Sequence, residues 1–186
     1  MPSTSRHPAT LFAAIAILLS SSLRLEAADW YTVQSDDKKI SVLFPHKAEQ
    51  FEVVTSSSPA GKVETQVAKH QEDGILLTVS STQLPGLAVA FAGSKVILEN
   101  AANGVLSKAY GKEVSSKSTE IGGAPALVLR YEAADFQNAS HGGYQGLAII
   151  IMIDKKLYTI NTMLSKENSE TKAMQDRLLN SIKVTK

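Results

Sequence analysis

Few residues in this chain have types that could do chemistry, and their spacing decides what that chemistry could be. Outside the first 28 residues there are three histidines, His46, His70 and His141. No two stand close enough to share a helix face or a loop as metal ligands do, so a metal would need residues brought together from afar. Ser35-Asp36-Asp37-Lys38 matches the S-x-x-K pattern, in which lysine one helical turn on activates a serine nucleophile. Here the tetrapeptide lies between strand-like runs and lacks the S-D-N and K-T-G partners, so it reads as a turn. Asp36-Asp37 and Glu72-Asp73 could pair as acid and base or hold calcium, but both sit in apparent turns and read as solvated turn residues. There is no G-x-S-x-G, P-loop or dinucleotide fingerprint. With no cysteine, disulfides, cysteine zinc sites and thiol catalysis are excluded. No metal and no cofactor is expected.

Two stretches could instead bind. Asp135 to Tyr144 is a polar, glycine-containing loop with two aromatics, and Asp135, Phe136, Asn138, His141 and Tyr144 are its candidate interaction residues. Asn138-Ala139-Ser140 within it is a formal glycosylation sequon. Leu84 to Phe91 is apolar and follows a chain break, which suits either an exposed grip or a segment tucked into the core.

These loops need a scaffold. Leu147-Ala148-Ile149-Ile150-Ile151-Met152-Ile153 is apolar at every position, so it has no face for water. It is far too short to span a bilayer and predicts a central strand covered on both sides. Asp154-Lys155-Lys156 then joins it to a second strand, Leu157 to Leu164. Earlier, strands are predicted at Trp30–Val33, Lys39–Phe44, Glu49–Thr55, Lys62–His70 and Ile75–Ser81, with a break over Ser56–Gly61. From Ser94 the apolar spacing becomes helical, with Ser94 as N-cap and Gly111 as C-cap. Gly104 lies inside that helix and costs it up to about 1 kcal/mol relative to alanine. Strands follow at Glu113–Ile121 and Ala126–Glu132, separated by Gly122-Gly123-Ala124-Pro125. A last helix is expected after Asn168, with Met174, Leu178 and Ile182 as its buried stripe. Strands with hairpin-length gaps and two helices predict an α+β domain with a mostly antiparallel sheet.

Residues 1–28 read as a secretory signal peptide. Arg6 and His7 precede the apolar run Leu11 to Leu19, and cleavage is expected after Ala27 or Ala28. That leaves residues 29–186 as one domain, exported to the periplasm or outside the cell, without a stable membrane anchor. The 186-residue chain carries 19 Lys and Arg against 18 Asp and Glu, interspersed without a basic block. That balance argues against nucleic acid and against electrostatic membrane binding.

Three phrases carry a resemblance to a known family. Trp30 followed by Ile40-Ser41-Val42-Leu43-Phe44-Pro45 resembles the opening of the Mog1/PsbP-like superfamily. Ile121-Gly122-Gly123-Ala124-Pro125-Ala126 resembles its turn before a strand, and Leu179-Asn180-Ser181-Ile182-Lys183 the close of its last helix. The resemblance spans nearly all of residues 29–186 and implies an α-β-α sandwich around an antiparallel sheet of about six or seven strands. Members of the superfamily are largely non-enzymatic: thylakoid-lumen photosystem II subunits, a nuclear Ran-binding protein and exported bacterial proteins. No functional residue is carried over, because the shared phrases are structural. The expectation is therefore an exported, non-catalytic binding or accessory protein acting through a protein-interaction surface. The alternative is a small-ligand or metal carrier, and the third reading an enzyme whose site is assembled from distant residues.

Overall fold

The computed structural model describes residues 29–45, 47–48, 52–58, 61–72, 74–85, 93–133, 143–165 and 169–185. The expected signal peptide, His46 and His141 lie outside them.

The strands are β1 (Tyr31–Gln34), β2 (Ile40–Phe44), β3 (Glu52–Ser58), β4 (Gly61–Glu72) and β5 (Ile75–Gln83). Helix α1 (Ser94–Lys108) follows, then β6 (Lys112–Ile121), β7 (Ala124–Ala133), β8 (Tyr144–Ile153) and β9 (Lys156–Leu164). Helix α2 (Ser169–Ser181) and the two-residue β10 (Lys183–Val184) close the chain. Seven strands form one antiparallel sheet in the order β3-β4-β5-β9-β8-β7-β6. A three-stranded sheet, β1-β2-β10, accompanies it.

The apolar run in β8 behaves as its composition demands. Leu147 to Met152 are all buried. Leu147, Ile149 and Ile151 enter a core with Ile40, Val42 and Phe44 of β2 and Leu178 of α2. Ala148, Ile150 and Met152 enter the opposite core with Ile97, Leu98 and Ala102 of α1. Each large side chain so buried contributes about 1.5–3 kcal/mol, so β8 needs a cover on both faces. α1 covers one. The other is covered by α2 together with the small sheet, so the second outer layer is part helix and part strand.

The small sheet is what local patterns did not anticipate. β10 pairs Lys183 with Ser41 and Val184 with Ile40, which ties the chain's last residues to its first strands. Ser181 Oγ accepts from Leu43 N–H at 2.9 Å and donates to Leu178 O at 2.7 Å, joining α2 to β2. Gly122 and Gly123 both have positive φ, as a two-residue hairpin turn requires. At Gly122 a Cβ would also stand 2.5 Å from Val184 Cβ.

Several boundaries differ from the sequence expectation; Ala124 and Pro125, expected in a turn, already pair in β7 with Ile121 and Glu120. The break predicted over Ser56–Gly61 is entered by strand from both sides, since Ser56, Ser57 and Ser58 pair with Val63, Lys62 and Gly61. Strand pairing satisfies the backbone there despite the serine-rich sequence. Ser94 is the first helical residue rather than the N-cap; Gly93 holds that place without a side-chain bond. At the other end Tyr110, with φ +46°, takes the left-handed position expected of Gly111. Gly111 N–H bonds Leu106 O and Tyr110 N–H bonds Ser107 O, the paired bonds of a Schellman end. Gly111 is needed for space: a Cβ there would lie 3.0 Å from the Tyr131 ring.

Tyr131 organises the sheet's α1 face. It is fully buried, stands opposite Gly146 in β8, and donates its hydroxyl to Asn161 Oδ1 of β9 at 2.7 Å. A Cβ at Gly146 would overlap the tyrosine ring. Gly146→Ala therefore forces the ring aside and is expected to cost about 1–3 kcal/mol in urea denaturation. A variant as stable as wild type would show that the ring has another place to go.

Candidate functional site: a groove beside the first helix

The residues that the sequence singled out are placed as follows. Asp135, Phe136, Asn138 and His141 lie outside the described residues, as does most of the Leu84–Phe91 stretch. Tyr144 is the first residue of β8, 8% exposed and packed in the α1-side core, at the root of the loop. His70 lies in β4 opposite Leu77. Among the described residues no group of three or more His, Asp or Glu side chains could hold a metal ion.

The S-x-x-K serine has a structural task. Ser35 is buried; its hydroxyl donates to Asp37 Oδ1 at 2.8 Å and accepts from Ile40 N–H at 3.1 Å. Lys38 N–H returns to Ser35 O at 2.9 Å, closing the turn. Lys38 is the positive-φ residue of that turn, not a base for the serine.

Asp36 and Asp37 do occupy a turn, yet they are not merely solvated. Lys156 at the start of β9 reaches both, at 2.9 Å from Asp36 Oδ2 and 3.0 Å from Asp37 Oδ2. Ser81 of β5 donates to Asp36 at 2.6 Å, and Tyr158 of β9 donates to Asp37 at 2.6 Å. Burial pushes both carboxyls up, but these donors outweigh it and hold them below the usual carboxylate range. Burial and the Asp37 carboxylate push the Tyr158 phenol well above its ordinary value. The cluster is a latch between the β1–β2 turn and the large sheet. Its partners Lys156, Tyr158 and Ser81 carried no local signal, since they lie 45 to 121 residues away in the chain.

The groove lies on the opposite face. α1 sits over β7 and β8, and among the described residues no helix lies above the β4-β5-β9 part of that face. Alternation along these strands sends Thr65 of β4, Thr78, Ser80 and Thr82 of β5, and Thr159 and Asn161 of β9 to the floor. The wall is one stripe of α1, Ala101, Gly104, Val105 and Lys108, at helical spacing. The space between is about 590 Å³.

Hydrogen bonds preset the floor. Thr65 and Thr82 share a hydroxyl–hydroxyl bond of 2.9 Å, and Ser80 Oγ donates to Thr159 O at 3.4 Å. Asn161 Oδ1 is taken by Tyr131, so the amide nitrogen is the donor this residue can offer the groove. Burial pushes the Tyr131 phenol up to about 12, which keeps it a neutral donor to Asn161. Among the described lining residues Lys108 is the charged one. Gly104 faces open space, with nothing within 4 Å of where its Cβ would be. The helix accepts its poorest non-proline residue where any side chain would narrow the groove.

Chemically, this is a surface of small hydroxyls on apolar ground, with one cation at the rim. It can hydrogen-bond and cover a ligand or a partner's side chains. The sequence showed Gly104 as a residue out of place in a helix; the floor could not be found there, because four elements contribute to the lining.

No family model matches the chain, and no curated protein matches it by sequence. Among solved structures it resembles cyanobacterial PsbP (CyanoP) from Synechocystis sp. PCC 6803, with a TM-score of 0.56 and 16% identity. That match covers 90% of this chain and 99% of the other, and the fold is PsbP-like, as the sequence phrases implied. A Pseudomonas aeruginosa protein of unknown function, PA94, matches with a TM-score of 0.36 and 11% identity, over 78% of this chain and 94% of the other. At that distance it carries no argument.

The latch sets a pH dependence. A carboxyl held below its unfolded value stabilises the fold fully above pH about 3.9, and that contribution is lost as pH falls further. A phenol held above its unfolded value contributes below pH about 10, and that is lost as pH rises. Asp37→Asn is expected to cost about 1.5–3 kcal/mol at neutral pH. In urea denaturation the gap to wild type should close at both extremes; a gap independent of pH would show that the carboxylate's charge plays no part.

Proposed function

We propose that the chain is an exported, non-catalytic binding or accessory protein that works through the groove beside α1. The observation that supports this reading is the groove's construction: a hydrogen-bonded hydroxyl floor, a small-residue wall, and a glycine holding that wall open. Export rests on the leader-like residues 1–28. Among the described residues no helix is long and apolar enough to cross a membrane. The expected Asp135–Tyr144 interaction loop remains a second contact surface in this proposal.

A small-ligand carrier is the second reading. It is favoured by the groove's volume of about 590 Å³, which lies within the usual range for ligand pockets.

Gly104→Leu tests both. Replacing glycine in an exposed helix position gains about 0.8–1 kcal/mol, so the variant should melt about 2–4 °C higher than wild type. The same side chain fills the groove. Melts against metals, lipids and small metabolites should give a ligand that stabilises wild type, by about 2.7 kcal/mol at 100 times Kd, and leaves the variant unmoved. For a protein partner, a crosslinker on Gly104→Cys should capture it from the exported fraction, while the same group on Val114→Cys of β6 should not. Binding that survives Gly104→Leu would place the site elsewhere.

A further inference from the structure

The two edges of the large sheet are built differently. β6 carries Lys112, Glu113, Lys117 and Glu120, and its register with β7 shifts between Glu113 and Ser115. Charges and a bulge are the devices by which edge strands refuse further pairing. β3 has no bulge and little charge. Its sequence, EVVTSSS, holds one charge and no proline, and it pairs with β4 residue for residue from Glu52 to Ser58. Val53 is 62% exposed and Val54 49%. Val54 stands opposite Thr65, which lies on the groove floor, so Val54 shares the groove's face and Val53 takes the other. The edge is thus regular, with one exposed valine on each face.

We propose that β3 pairs with β3 of a second copy of this chain, antiparallel, about a two-fold axis at Val54. Side chains directly opposite must share a face, so a residue can meet only one of equal parity. The register centred on Val54 sets Val54 against Val54 and Val53 against Thr55, β-branched residue against β-branched residue in the three central pairs. It also sets Glu52 against position 56, a serine, and never against its own copy. Shifting the axis to position 53 sets Glu52 against Val54; shifting it to position 55 sets both valines against serines. The sequence of this edge therefore selects one self-complementary register, and a second copy is the occupant that matches it.

The pairing lengthens the groove. Leu157, Thr82, Thr65 and Val54 form one cross-strand row on the groove's face. Across the axis that row runs on into Val54 and Thr65 of the second copy, so each copy adds floor to the other's site. Strand twist turns the two α1 helices away from one another, so the shared surface is this central row. That consequence rests on the groove being the binding surface; the association itself does not.

A single-edge interface is small, so association at high micromolar concentration is expected. Sedimentation of the purified protein without ligand should show a monomer–dimer equilibrium. Val54→Lys should weaken it at least about tenfold with an unchanged melting temperature. The chain has no cysteine, so single cysteines report cleanly. Under mild oxidation Val54→Cys should form a disulfide dimer, since facing Cα atoms lie about 4.5–5.5 Å apart. Val53→Cys, about two residues out of register with its own copy, and Val114→Cys on β6 should not. A monomer at every concentration, a dimer indifferent to Val54→Lys, or equal crosslinking from the three positions would overturn the proposal. None of these results bears on whether the groove binds a ligand.

Discussion

The structure depends on one strand that cannot tolerate water on either side. Leu147 to Met152 of β8 place three side chains into each of two cores, so the sheet must be a middle layer. Helix α1 packs on the side facing Ala148, Ile150 and Met152. The other side needs more, and α2 with the β1-β2-β10 sheet supplies it. The Asp36–Asp37–Lys156–Tyr158 latch then fixes the small sheet's turn to β9. Distant parts of the chain thereby hold one another in place around β8.

The same constraint leaves the groove. α1 is placed where β8 demands it, over β7 and β8, and is too narrow to reach the β4 and β5 end of the sheet. A helix is about 10–12 Å across with its side chains, against about 4.8 Å per strand, so one helix cannot cover seven strands. The strands beyond it mix threonine and serine with apolar residues such as Val63, Val67 and Leu76 on that face. Tyr131 links the two regions: its ring lies over Gly146 in the core, and its hydroxyl orients Asn161 at the groove.

Much of this was legible in the sequence, for local reasons. The β8 run declared its burial by composition alone. The β8–β9 and β6–β7 hairpins followed from Asp154-Lys155-Lys156 and Gly122-Gly123-Ala124-Pro125, where a short connection must turn the chain, though Ala124 and Pro125 belong to β7. The small sheet was not legible, because β10 is two residues long and its partners lie about 140 positions away. Tyr110 at the end of α1 was missed because a neighbouring glycine is the usual choice, and here that glycine was committed to the close approach of Tyr131. Of the candidate site, only Gly104 gave a sign, as a residue that weakens a helix without a turn to explain it. The hydroxyl floor has no linear signature; threonines at alternate positions look like any half-exposed strand until the neighbouring strands are in register.

In the proposed function the chain acts through the groove between α1 and the β4-β5-β9 strands. Amide hydrogen exchange, measured on the protein in buffer and again in the concentrated exported fraction of its host, tests it most directly. Added protection is expected only in the second half of α1 and in the floor strands around Thr65, Ser80 and Asn161, with β6 unchanged. Protection centred on β6 and β7, or on the β1–β2 turn with the groove unchanged, would contradict it.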